Sequence, residues 1–142
     1  MMLKGIPSIL SPELLKVLME MGHGDEIILA DGNFPAASHT NRLLRCDGHG
    51  VPELLKAVLS LYPLDTYSEA PVALMAVVPG DPVETPIWGE YEGIIREHVT
   101  PAIEYVERFA FYDRAKKAYA IVATSEKALY ANIILRKGVI SG

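Results

Sequence analysis

The chain alternates short, wholly apolar runs with segments whose apolar residues recur at helical spacing. Ile27-Ile28-Leu29-Ala30, Val72-Ala73-Leu74-Met75-Ala76-Val77-Val78, Tyr119-Ala120-Ile121-Val122-Ala123 and Ile133-Ile134-Leu135 lack the polar alternation of a strand with one wet face. Each reads as a strand covered on both sides. Between them, Leu14, Leu15, Val17, Leu18 and Met21 form one helical face behind Ser11 as a cap and Pro12 in the first turn. Another helix starts at Pro52-Glu53-Leu54-Leu55-Lys56, and its likeness to Pro12-Glu13-Leu14-Leu15-Lys16 is shared helix-start chemistry. Ile87, Tyr91, Ile94, Ile95 and His98 mark a third helical face, and Pro79-Gly80-Asp81-Pro82 closes the strand before it. A strand near Ile103 to Val106 and a helix over about Arg108 to Lys117 complete the alternation. The pattern predicts a three-layer α/β/α single domain over residues 1–142, with a mainly parallel sheet between helices.

The composition removes several classes of function. The net charge is −5 and the 13 basic residues are scattered, so no electrostatic footprint for nucleic acid is present. The longest apolar run, Val72 to Val78, falls far short of the roughly 20 residues that span a bilayer. With no signal-peptide pattern at the N-terminus, the expectation is no membrane association and a cytoplasmic location. The single cysteine, Cys46, has no disulfide partner and no CxxC or Cys/His cluster around it, and reads as a structural thiol.

Residues able to carry chemistry stand at the ends of the apolar runs. Gly22-His23-Gly24-Asp25 puts an imidazole at a helix exit between two residues without side chains. Imidazole exchanges protons near neutrality, so His23 suits general acid-base work, while pairing with Asp25 or the helix end is the structural alternative. Asp31 follows the first strand and opens an irregular loop through Thr40, where α/β proteins offer carboxylates to ligands. A turn or capping role is equally open to it. His23, Asp25 and Asp31 match no metal-ligand spacing. Arg108-Phe109-Ala110-Phe111-Tyr112 and Tyr130-Ala131-Asn132 combine donors, acceptors and rings that can read a polyol. Their bland readings are core packing for the rings and an ion pair of Arg108 with Glu104 or Glu107. Trp88 and Tyr91 suit either an apolar wall for a sugar's methyl group or helix packing, and His39, His49 and His98 carry no assigned role.

Several blocks together resemble the fucose mutarotase and ribose pyranase family along nearly the whole chain. They are Leu3-Lys4-Gly5-Ile6, Ser11-Pro12-Glu13-Leu14-Leu15-Lys16, Glu20 through Ile27, Ala30-Asp31 with Asn33-Phe34-Pro35, and Arg108 through Tyr112. Arg114-Ala115, Lys117-Ala118, Ala120-Ile121-Val122 and Tyr130 through Leu135 continue the likeness. Ala131 departs from the glycine of the fucose branch, and Tyr130-Ala131-Asn132 is similar to the ribose branch. The resemblance implies a cofactor-free isomerase that interconverts the anomers of a monosaccharide, with L-fucose as the leading substrate. It implies that His23 transfers protons and that Asp31, Arg108, Tyr130, Ala131 and Asn132 bind the sugar. It also implies a three-layer α/β/α fold and a homo-oligomer whose sites lie at subunit boundaries. A D-ribose pyranase and a sugar-binding oligomer without turnover are the alternatives.

Overall fold

The computed structural model describes residues 2–141, so residues 1 and 142 of the expected domain lie outside the described residues. In chain order the strands are β1 (Glu26–Ala30), β2 (Leu43–Cys46), β3 (Val72–Met75), β4 (Ile103–Val106), β5 (Ala120–Thr124) and β6 (Ile133–Arg136). The helices are α1 (Pro12–Glu20), α2 (Ala36–His39), α3 (Val51–Leu59), α4 (Pro86–Arg96) and α5 (Arg108–Lys117). Strand order is β2-β5-β1-β6-β3-β4. Five strands run the same way, and β6 lies antiparallel between β1 and β3.

Successive strand residues point to opposite faces, and apolar side chains fill both. Ile27 and Leu29 enter one core with Val122, Ile133 and Leu135 under α1, α3 and α4, while Ile28 and Ala30 enter another with Ile121, Ile134 and Phe111 of α5. This double burial explains the unbroken apolar runs of the sequence and produces the expected three layers.

The run from Val72 to Val78 leaves strand conformation after Met75, and α4 stops at Arg96, which leaves His98 exposed. Strand β2 and the short α2 carry no strong periodicity. β2 is an edge strand with half-buried Leu43 and Leu44 and an exposed Arg45, so its apolar signal is weak. No helix among the described residues is long and apolar enough to cross a membrane.

Helix α1 begins as its sequence dictates, with the Ser11 hydroxyl accepting from the Leu14 amide at 3.1 Å and Pro12 at the first helical position. Ser11→Ala is expected to lower stability by about 1 kcal/mol. Urea unfolding checks this as a lower midpoint with an unchanged slope.

Candidate functional site

Polar residues gather at both ends of β1. At its carboxyl end, the chain delivers Asp31 beside the start of antiparallel β6. The Asp31 amide donates to Asn132 Oδ1 at 2.8 Å, while its carboxylate accepts from the Asn33 amide at 3.0 Å and the Ala131 amide at 3.3 Å. Asp31 and Asn132 are both buried. Burial pushes the Asp31 carboxyl above its ordinary value, a shift that the amides of Asn33, Ala131 and Phe34 oppose and the Glu126 charge reinforces. Asp31 therefore fixes two loops and also lines the cavity.

Tyr130 has φ 55°, the left-handed region that bulky residues rarely occupy. The backbone there is held by Trp88 Nε1 donating to the Tyr130 carbonyl at 2.8 Å and the Tyr91 hydroxyl donating to the Ala131 carbonyl at 2.6 Å. Trp88 and Tyr91 thus do helix-packing work that also locks the loop, and neither lines the cavity. Ala131 is fully buried and contributes its backbone. The Tyr130 hydroxyl donates to Asp81 Oδ2 at 2.6 Å, a bond that raises its pKa above the ordinary value.

Arg108 opens α5 on the same side. Neither expected ion pair forms: Glu104 pairs with Arg114, and Glu107 accepts from the Phe109 and Ala110 amides at 2.9 and 3.0 Å. The Arg108 guanidinium lies 4.5 Å from the Phe109 ring centre, and its Nε is buried without a partner among the described residues. An unmet buried donor is costly unless a ligand supplies the acceptor. Asp31, Arg108, Tyr130 and Asn132 line one cavity of about 240 Å³, with Phe34 and Tyr112 as part of its apolar wall.

His23 stands at the other end of β1. A five-residue strand spans roughly 16 Å, so one chain does not bring His23 to the cavity, nor can His23, Asp25 and Asp31 share an ion. Gly24 takes φ 88° and its amide donates to the Lys137 carbonyl at 2.8 Å, which turns the chain into β1. Asp25 accepts from the Gly22 amide at 2.8 Å, and His23 pairs instead with Asp65, Nε2 to Oδ1 at 3.1 Å. The His23 side chain is 46% exposed, whereas that of Asp65 is 4% exposed. Asp65 also accepts from the Tyr67 amide at 3.0 Å and Arg136 Nε at 3.2 Å. Its burial raises the carboxyl pKa, but the bonds from His23, Tyr67 and Arg136 outweigh that and hold it below the ordinary value. Sequence reasoning missed Asp65 and Asp81, because partners 42 and 49 residues apart leave no spacing signal. The Pro-Gly turn around Asp81 was the one available cue.

The chain matches the model of the RbsD / FucU transport protein family over residues 4–140. It is 57% identical to the fucose mutarotase of Homo sapiens, across 98% of this chain and 95% of that protein. The crystal structure of the fucose mutarotase of Streptococcus pneumoniae in complex with L-fucose is 57% identical and superposes with a TM-score of 0.94, covering 98% of this chain and 100% of that one. Bacillus subtilis RbsD complexed with D-ribose is more distant, at 25% identity and a TM-score of 0.77 over 99% of this chain and 100% of its own.

Proposed function

The chain belongs to the RbsD / FucU family, and from that footing we propose that it interconverts the α and β anomers of L-fucose as a cofactor-free isomerase. The observation that carries this reading is the 57% identity, at a TM-score of 0.94, to a fucose mutarotase holding L-fucose. The ribose-bound relative is far more distant at 25% identity, so fucose stands ahead of ribose despite Ala131.

Anomer exchange opens the ring hemiacetal to the aldehyde, rotates about C1–C2 and closes on the other face. The ring oxygen must gain a proton and the anomeric hydroxyl must lose one. In this reading His23 exchanges those protons. Its Nε2 is engaged by Asp65, which leaves Nδ1 for the sugar. Arg108 offers its guanidinium to a sugar oxygen, Asn132 and Tyr130 hold further hydroxyls, and Asp31 with Ala131 sets the loop geometry. Phe34 and Tyr112 offer rings to the sugar's C–H face.

The reading includes one sugar mutarotase domain, a cytoplasmic location and a homo-oligomer in which His23 of one subunit reaches the cavity of the next. The separation of the two clusters along β1 supports the shared site. So does the apolar surface of Leu3, Met19, Leu61 and Ile140 around a groove of about 490 Å³.

NMR saturation transfer between the α and β signals of equilibrated sugar tests the function. The protein is expected to accelerate exchange for L-fucose more than for D-ribose. Acceleration for D-ribose alone selects a ribose pyranase, and binding without acceleration selects a sugar-binding protein.

A further inference from the structure

The strand β3 is followed by Val78-Pro79-Gly80-Asp81, a sequence that predetermines its own shape. Proline favours the second position of a type II turn, and the third requires positive φ, which glycine supplies. Gly80 has φ 88° and the Asp81 amide donates to the Val78 carbonyl at 3.0 Å. Both ends of this turn meet the Tyr130 hydroxyl. The Val78 amide donates to Tyr130 Oη at 3.3 Å, and Asp81 Oδ2 accepts from it at 2.6 Å.

We propose that Asp81 is a positioning residue for sugar binding, holding Tyr130 in the cavity with the phenolic proton turned away from the sugar. The inference rests on the sugar-binding role given to Tyr130 above. A phenolic oxygen has one proton to donate, and Asp81 takes it. Tyr130 then meets the sugar as an acceptor with its ring fixed. The carboxylate end of this bond makes it a strong hydrogen bond, of the kind that sets geometry. The same bond anchors a side chain whose backbone sits at φ 55°, so the residue is held from both ends, by Trp88 at its carbonyl and by the turn at its hydroxyl.

An acceptor that serves substrate and transition state alike affects KM more than kcat. Asp81→Ala is therefore expected to raise KM for L-fucose about tenfold, the lower end of what loss of a charge-assisted hydrogen bond does, with kcat changed less than about twofold. Asp81→Asn keeps an amide oxygen where Oδ2 stands and is expected to recover most of that loss. Tyr130→Phe is expected to raise KM at least as much, and adding Asp81→Ala to it should do nothing further. Calorimetric titration with L-fucose reads the same pattern in binding, independently of turnover, on variants whose circular dichroism matches the parent. An unchanged KM in folded Asp81→Ala overturns the inference, as do losses that multiply in the double variant. Absence of exchange by the unmodified protein overturns the mutarotase reading instead, and the titration still decides the role of Asp81.

Discussion

His23→Ala is expected to lower the enzymatic acceleration of L-fucose anomer exchange by about 10² to 10⁴-fold, the usual worth of general acid-base assistance, without disturbing the fold. His23 is nearly half exposed and contacts Asp65 and the Tyr67 ring, so alanine leaves no core cavity. Saturation-transfer rates at matched concentration measure the loss, and an unchanged rate in the folded variant removes His23 from the mechanism. The same variant tests where the site is assembled. Arg108→Ala removes a side chain that forms no ion pair among the described residues and should also inactivate. If each cavity draws His23 from a neighbouring subunit, refolding the two inactive variants together restores intact sites at boundaries where each supplies what the other lacks. Random mixing of equal amounts gives about a quarter of the parental activity. No recovery in mixed oligomers would place both residues in one subunit's site, against the separation along β1.

Gly138→Ala should be the most damaging of the small substitutions. A Cβ there would stand 2.6 Å from the Leu64 carbonyl oxygen and 2.9 Å from Asp65 Cα, both backbone atoms. No side chain can swing aside, so the strand-like pairing of Leu64 with Lys137 and the 2.8 Å bond from the Gly138 amide to the Pro63 carbonyl must give way. Overpacking of this kind costs about 1–3 kcal/mol. For a chain this size, the thermal midpoint should fall by about 2–4 °C per kcal/mol. Because Asp65 is carried on the displaced segment and holds His23, exchange on L-fucose should fall too, more than Ser11→Ala lowers it. A midpoint within 1 °C of the parent (roughly 0.3 kcal/mol on that scale) would show that the segment shifts freely.

The sequence determined by itself the elements whose physics is local. Apolar runs announced β1, β3 and β5 because burial on both faces leaves no place for polar residues, and Ser11 with Pro12 announced α1 because a cap acts within one turn. Of the residues the family resemblance named, Asp31, Arg108, Tyr130 and Asn132 line one cavity, whereas His23 and Ala131 do not. The insertion of β6 antiparallel between β1 and β3 was decided only by tertiary structure, since strand order depends on contacts across the chain rather than along it. The same holds for Asp65 beneath His23 and Asp81 beneath Tyr130. A half-buried carboxylate and a fully buried one look alike in sequence, and only folding brings each within hydrogen-bonding distance of the group it serves.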